Sequence, residues 1–466
     1  MKRSLTFLVF LFCTVITKAQ DEIDTVFQEA IGFLINTQTD TTIEGVQYAG
    51  EWPVYMELTE PYFFIGRRQK ARDSNCFNVS AIHNFLSEIY LRDPTLDSLK
   101  PVLARSMKEI NTYSTETEFN FWKALPPLKD HRFFPKKGEL PLVRRPTNFK
   151  VKPRLVQKMS NIANDADDTN QANQARFYFN EIFEENLPLA SAKLFEEWTD
   201  QKRQNRNWFN YLFHTKKNSG AYLTWLAPEY NYGIWNPVYA YLSVLGIFLP
   251  TSSSYPKAYV PWIPWGANDV DPVVNANILN YLAISGQYYP TPANENSIRM
   301  IERMTEREMW STGGVYYPNA YHLTYSIAKA FKNGVKELKP ASLNALKQLN
   351  ETQLDNGSFK SRYWVNHGDT IQSTAYALHA LLDFKEAGLP VASQKIDKAV
   401  SFLLSVKQNC QGGVFWKGGV YFTGGTALRN ILYWHSDAYT TALVAHSFQR
   451  YSSLKKIETS PVYLEK

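Results

Sequence analysis

The sequence predicts an all-α fold assembled from stacked helical hairpins, and three observations carry that prediction. The first is a recurring turn in which a helix-ending Gln leads to a Gly and then an aromatic residue. Gln353-Leu-Asp-Asn-Gly357-Ser-Phe359 is the clearest copy. Gln408 with Gly413-Val-Phe415 is a second, Gln38 with Gly50-Glu-Trp52 a longer third, and Gly220-Ala-Tyr222 keeps the turn without the Gln. The second observation is the segment after each turn: an Asp, a few residues, then a helix of small and apolar residues. Asp369 leads into Thr374-Ala-Tyr-Ala-Leu378, Asp437 into Thr441-Ala-Leu443, and Asp73 less tidily into Ser80-Ala-Ile82. The third is that strand signals are few and short, as at Gly419-Val-Tyr-Phe422.

Helix, Gly-turn and helix in repetition cannot bury their apolar faces one unit at a time, so the units stack. Small residues on one face let neighbouring helices approach closely. The Gln and the aromatic tie the end of one helix to the next turn. Stacked in a line, such units make an open solenoid. Closed on themselves, they make a ring whose inner helix ends and loops line a central cavity. The repeats alone leave both arrangements open.

The N-terminus reads as a processing signal. Lys2 and Arg3 precede an apolar run from Leu5 to Ile16, and Thr17-Lys18-Ala19 places small residues where a signal peptidase reads. The run is short for a membrane span. The expectation is cleavage after Ala19, a periplasmic or secreted protein, and a single domain over residues 20–466. The mature chain keeps Cys76 and Cys410, which an oxidising compartment would allow to pair if the fold brings them together. A second irregularity lies at about 126–154. From Lys129 to Arg154 there are nine Lys/Arg against two acids, with prolines at 135, 141, 146 and 153. This is a basic, Pro-rich insertion, either a solvated loop or an anion-binding flap.

Composition narrows the function classes. The chain has 466 residues, 44% hydrophobic and 20% charged, the profile of a water-soluble globular protein. Its net charge of +6 is mild for this length, and no nucleic-acid motif is present. Aromatic residues reach 15%, a surplus that suits an apolar cavity, carbohydrate stacking or plain core packing.

Residues 165–169, Asp-Ala-Asp-Asp-Thr, carry the sharpest chemical signal. Three carboxylates in four residues repel one another, and the cheapest relief is to keep one protonated near neutral pH. A proton held among anionic neighbours, with water excluded, suits a Brønsted acid. The polar-to-apolar run from Asn170 to Phe179 suggests that the triplet opens a helix, whose N-terminus lowers every carboxylate in the cluster. The competing reading is an Asp N-cap in a solvated Asp/Asn loop.

These residues, taken together, resemble a known family. The Gln–Gly–aromatic units look like the QW-type repeats of the terpenoid cyclase and prenyltransferase superfamily. Asp165-Ala-Asp167-Asp168-Thr169 is similar to the DxDDT acid motif of class II terpene cyclases, including squalene–hopene cyclase. The resemblance implies closure of the repeats into an α/α toroid. It implies that Asp167 is the general acid, flanked by Asp165 and Asp168, for protonation-initiated cyclisation of a polyprenyl substrate, an intramolecular isomerisation. Val274-Asn-Ala-Asn277-Ile-Leu279 resembles the segment that supplies a His or Asn partner to the acid, and Asn277 falls on that position. The stretch from Trp310 to Tyr325, with Tyr316-Tyr317-Pro318 and Tyr321, also resembles bacterial members. No redox cofactor is implied, and magnesium only if the substrate carries a diphosphate. An isoprenoid substrate also allows peripheral contact with a membrane.

Other chemistry has less support. There is no DDxxD cluster with its downstream partner, no HExxH, no CxxC, no phosphate loop and no GxSxG. Tyr222 and Trp225, close after a Gly turn, are candidate substrate-binding residues that stabilise a cation or stack a sugar, together with Trp310 and Tyr321. Their alternative is core packing. His322 beside Tyr321 is a candidate base for the runner-up function, a secreted polysaccharide lyase or glycan binder on the same toroid. A non-catalytic interaction module on that scaffold is the third reading. His367, His435 and His446 are scattered in sequence and suggest no metal site.

Overall fold

Two kinds of helical segment alternate along the chain and settle its architecture. The computed structural model describes residues 21–58, 70–126, 142–148, 162–201, 203, 218–228, 268–361, 369–424 and 432–458. The expected signal peptide and most of the basic insertion lie outside the described residues.

One kind of segment is amphipathic. It comprises α1 (residues 21–37), α3 (Leu99–Asn111), the short α5 (Ala192–Glu196), α7 (Pro292–Glu306), α9 (Lys339–Thr352) and α11 (Ser393–Ser405). In α11 the buried residues are Ile396, Ala399, Val400 and Leu403, a single stripe at helical spacing. The other kind is buried nearly all round: α2 (Cys76–Arg92), α4 (Ala166–Phe183), α6 (Pro272–Ile284), α8 (His322–Lys332), α10 (Asp369–Glu386) and α12 (Asp437–Glu458). In α10 every residue from Gln372 to Phe384 is buried, and Ala375, Ala377 and Ala380 keep its neighbours close.

The buried helices pack in order, α2 on α4, α4 on α6, α6 on α8, α8 on α10 and α10 on α12, and α12 packs back on α2. Among the described residues the ring closes with these six inner helices, and the amphipathic helices lie outside. It is an α/α toroid. Side-chain bonds join residues at equal depth on neighbouring inner helices. Asn277 meets Asp167 and Tyr376 meets Tyr439 near the N-termini, whereas Asn280 meets Gln174 and His379 meets His446 further along. The inner helices therefore run parallel, and their N-termini gather at one end of the ring.

The Gly turns share a geometry. Gln38 donates through Nε2 to the carbonyls of Gly50 and Val102, and Gln353 likewise to Gly357 and Lys395, so each Gln ties its own turn to an outer helix of the next hairpin. Gly357 has φ +86°, and a Cβ there would lie 2.2 Å from the Lys398 carbonyl oxygen. Gly50 and Gly413 are pressed in the same way against the Arg105 and Glu29 carbonyls. Gln408 departs from the pattern. It is exposed and pairs through its backbone in a hairpin of Gln408–Cys410 with Gly413–Phe415.

A four-stranded antiparallel sheet covers the N-terminal end of the ring. Its strands are β1 (Val54–Leu58), β2 (Lys70–Asp73), β3 (Val420–Thr423) and β4 (Leu432–His435), in the order β2-β1-β4-β3. It joins the start of the chain to its end across the ring closure. The fully buried carboxylate of Asp73 accepts the indole N–H groups of Trp122 and Trp434 and the backbone N–H of Thr147, which pins the sheet to the loops beneath it. Cys76 is buried at the start of α2 and Cys410 is exposed, and the two are not bonded.

Candidate active site at the N-terminal end of the ring

Asp165 caps α4, accepting the Asp168 backbone N–H at 2.7 Å. That cap places Asp167 and Asp168 in the first helical turn, where the triplet predicted a helix start. All three carboxylates are buried. Burial is the largest influence on each and raises all three above the ordinary carboxylate range. Asp165 and Asp168 are close neighbours, and the Asp165 charge adds to the upward push on Asp168. Asp167 stands apart from that pair and is pushed up to about 8 by burial, with Asp165 and Asp271 adding repulsion and the amide of Asn277 opposing. The helix N-terminus does not reverse the effect. At neutral pH Asp167 carries a proton.

The geometry shows which oxygen holds it. Asn277 Nδ2 donates to Asp167 Oδ1 at 3.0 Å, and Asn170 Nδ2 lies 3.5 Å from the same oxygen. Oδ1 is thereby the carbonyl oxygen, and the proton sits on Oδ2. Oδ2 lies against the hydroxyl of Tyr317, which can donate to it once the proton has left. Such a donor favours the carboxylate left behind and makes the Oδ2 proton easier to release.

Asp271 positions both partners. It caps α6 through the N–H groups of Val273 and Val274, which sets Asn277 one and a half turns along the helix. Its other oxygen accepts the N–H groups of Val315 and Tyr316, which fixes the loop that carries Tyr317. Asp271 is recognisable in retrospect: an Asp directly before Pro272 is an N-cap followed by a first-turn proline.

Next to the acid, six side chains close into a collar. Ring centroids are 5.4 Å apart for Phe77 and Tyr421, 4.7 Å for Tyr421 and Tyr439, and 6.4 Å for Tyr439 and Tyr376. They are 4.5 Å apart for Tyr376 and His322, 4.3 Å for His322 and Tyr317, and 6.1 Å for Tyr317 and Phe77. The collar draws on α2, β3, α12, α10, α8 and the loop before α8. Phe422 of β3 stacks on Tyr316 and Phe121 beside it.

The aromatic residues singled out in the sequence lie elsewhere or at the edge. Tyr222 is buried behind the collar, and its hydroxyl donates to Asn294 on α7. Trp225 is half-buried beside the start of α4. Its indole N–H reaches Asp269 at 3.3 Å and the Tyr316 hydroxyl at 3.1 Å. Trp310 packs half-buried against the core. Tyr321 packs edge-on against Phe359, whereas its neighbour His322 turns into the collar. Phe77, Tyr376, Tyr421 and Tyr439 gave no site signal in sequence, because each sits in a segment that reads as ordinary helix or strand.

A second buried cluster lies near the C-terminal ends of the inner helices. His446 is not isolated in space: its Nδ1 lies 3.2 Å from His379 Nε2, and its Nε2 lies 3.5 Å from Glu88. The ligand atoms of Glu88, His379 and His446 are within 4.8 Å of one another, a spacing that a metal ion could bridge. The donor set is already committed to cations of the protein. Lys329 pairs with Glu88, Lys332 with Asp383, and Arg450 with Asp383 and Glu386. Burial alone would raise Asp383 and Glu88, but these cations hold both below the ordinary range, and burial with the same cations keeps both histidines neutral. Three acids face three bases, placed where a helix C-terminus favours positive charge.

No family model matches the chain, and no curated protein does. Solved structures match the fold. The type II terpene cyclase MstE from Scytonema, in complex with its substrate geranylgeranyl dihydroxybenzoate, is similar over 93% of this chain and 99% of its own, with TM-score 0.50 and 14% identity. The same enzyme in complex with its product, merosterolic acid A, gives TM-score 0.51 and 14% identity over 93% of this chain and 98% of its own. A protein from Actinoplanes is similar over 92% and 99%, with TM-score 0.52 and 12% identity. The chain thus shares the terpenoid-cyclase-like α/α toroid.

Proposed function

We propose that this protein is a protonation-initiated cyclase of a polyprenyl substrate. One observation carries the reading: a protonated, buried carboxyl, Asp167, is held by Asn277 and Tyr317 against a closed collar of aromatic rings. Asp167 delivers its Oδ2 proton to a terminal alkene or epoxide. A new C–H or O–H bond forms, and the positive charge passes into the chain. Successive π bonds close rings while the collar faces shield the cation and keep water from quenching it. Asn277 fixes the Oδ1 side, and Tyr317 steadies the developing carboxylate. Asp165 and Asp168, both raised by burial, limit the negative charge that builds up beside the acid. A similar fold accommodates geranylgeranyl dihydroxybenzoate in the Scytonema enzyme, which supports an isoprenoid substrate for this chain. Export past Ala19 remains part of the proposal.

The test is incubation of the purified protein with geranylgeranyl dihydroxybenzoate, squalene and geranylgeranyl diphosphate, with products resolved by mass spectrometry. Cyclic isomers of unchanged mass are expected from at least one probe, and none from Asp167→Asn. Equal turnover by Asp167→Asn overturns the assignment.

A further inference from the structure

His322 is the buried group that the initiation chemistry leaves without a task. It opens α8, and its side chain is wedged among Tyr317, Tyr376 and Tyr325, at ring distances of 4.3, 4.5 and 5.9 Å. Its Nδ1 is buried and has no hydrogen-bond partner among the described residues. Each of the other buried histidines keeps at least one ring nitrogen hydrogen-bonded. His83 meets Ser106, His379 meets Asp383 and His446, and His435 meets Glu57. An unpaired imidazole in the interior costs about 1–3 kcal/mol. The group beside it, Tyr317, is the one that touches the acid.

We propose that His322 is the base that ends the cyclisation. The inference rests on the cyclase reading and extends it to the last step. When ring closure stops, the final carbocation holds a C–H bond next to the cationic carbon. That bond breaks, its electron pair becomes the product's C=C bond, and the proton passes to an imidazole nitrogen of His322. The imidazolium then returns a proton to the Asp167 carboxylate, with Tyr317 in contact with both. One proton leaves Asp167 at the start and one comes back, so the reaction is an isomerisation and needs no co-reactant.

The surroundings suit this role. Burial lowers His322 to about 3, so it is neutral at working pH and does not repel the cation. A carbocation is acidic enough to protonate even so weak a base. No carboxylate among the described residues pairs with the ring, so no anion competes to trap the cation at that wall of the collar.

The test uses the full-length protein and whichever of the three polyprenyl probes the wild type consumes. His322→Phe keeps an aromatic ring, a somewhat larger one, and removes both nitrogens. His322→Asn covers a failure of the Phe variant to fold, with circular dichroism as the check. The readout is the product ratio of whatever substrate is turned over and not the rate of consumption, since His322 is part of the collar. The share of the wild-type alkene is expected to fall at least tenfold, replaced by alkene isomers or water-quenched alcohols. An unchanged product ratio in a folded variant overturns this inference alone. Wild-type protein that consumes no probe overturns the cyclase reading and this inference with it.

Discussion

Asn277 and Asp167 are 110 residues apart in sequence and 3.0 Å apart in space. They meet because α4 and α6 are neighbours in the ring and start at the same end. The amide reaches only the oxygen that keeps no proton. Asp167→Asn is therefore expected to abolish turnover, and Asn277→Ala to slow it by roughly ten- to a hundredfold, since the amide orients the acid and supplies no proton. Single-turnover rates on a polyprenyl probe check both. Asp165→Asn and Asp168→Asn should each cost less than Asp167→Asn. Equal loss at all three positions would mean that the triplet acts only as a helix cap.

The pH profile is set by the same burial. Asp167 must be protonated to act, so turnover should be level from about pH 5 to 7 and fall as pH rises through about 8. Tyr317→Phe removes a donor that favours the carboxylate. The plateau should drop while the fall shifts to higher pH. A variant that loses rate with no shift of that limb would show that Tyr317 only fills space.

Stability carries the opposite mark of this acid. The folded protein raises Asp167 far above its unfolded value, so the folded state binds the proton more tightly. This contribution is fully present below about pH 4 and is lost as pH rises through about 8. Asn cannot ionise. Asp167→Asn should melt a few degrees above wild type at pH 8.5, with the gap closing towards pH 5, as read by calorimetry.

Gly357 and Gly388 separate strain from collision. Both have positive φ, but a Cβ at Gly388 meets nothing within 4 Å, whereas one at Gly357 meets the Lys398 carbonyl at 2.2 Å. Gly388→Ala should cost about 1–2 kcal/mol, the backbone penalty alone. Gly357→Ala should cost clearly more, because α11 must move away from the turn. Urea unfolding of the two variants gives the comparison.

Arg450 is fully buried between Asp383 and Glu386. Arg450→Leu leaves Asp383 with Lys332 as its remaining cation and Glu386 with weaker partners. The expected loss is about 3–5 kcal/mol, the usual cost of breaking a buried pair from one side. Product distribution should be unaffected if the cluster is structural, and product analysis of the folded fraction checks that.

The features legible in the sequence were periodic or local. The Gln–Gly–aromatic turns, the small-residue helices and the Asp-rich start of α4 each depend on residues close in the chain, so their spacing survives as text. The Thr of the acid motif also has a repeated structural task. Thr169 accepts the backbone N–H of Phe119, as Asn275 does for Tyr222, Thr374 for Phe359 and Thr441 for Trp416. In each of these hairpins the side chain stitches a turn to an inner helix. Neither the collar nor the oxygen that holds the proton could be read this way. Phe77, Tyr317, Tyr376, Tyr421 and Tyr439 come from five separate segments and converge only because the ring closes α12 on α2. His446 looked isolated for the same reason, although it sits at equal depth with His379 on the adjacent helix. The sequence by itself determined the repeating hairpin and the carboxylate cluster, because hydrophobic spacing and like-charge repulsion act over a few residues. Only the tertiary structure decided which carboxyl keeps its own proton and which rings surround it, because burial and ring contacts are set by helices far apart in the chain.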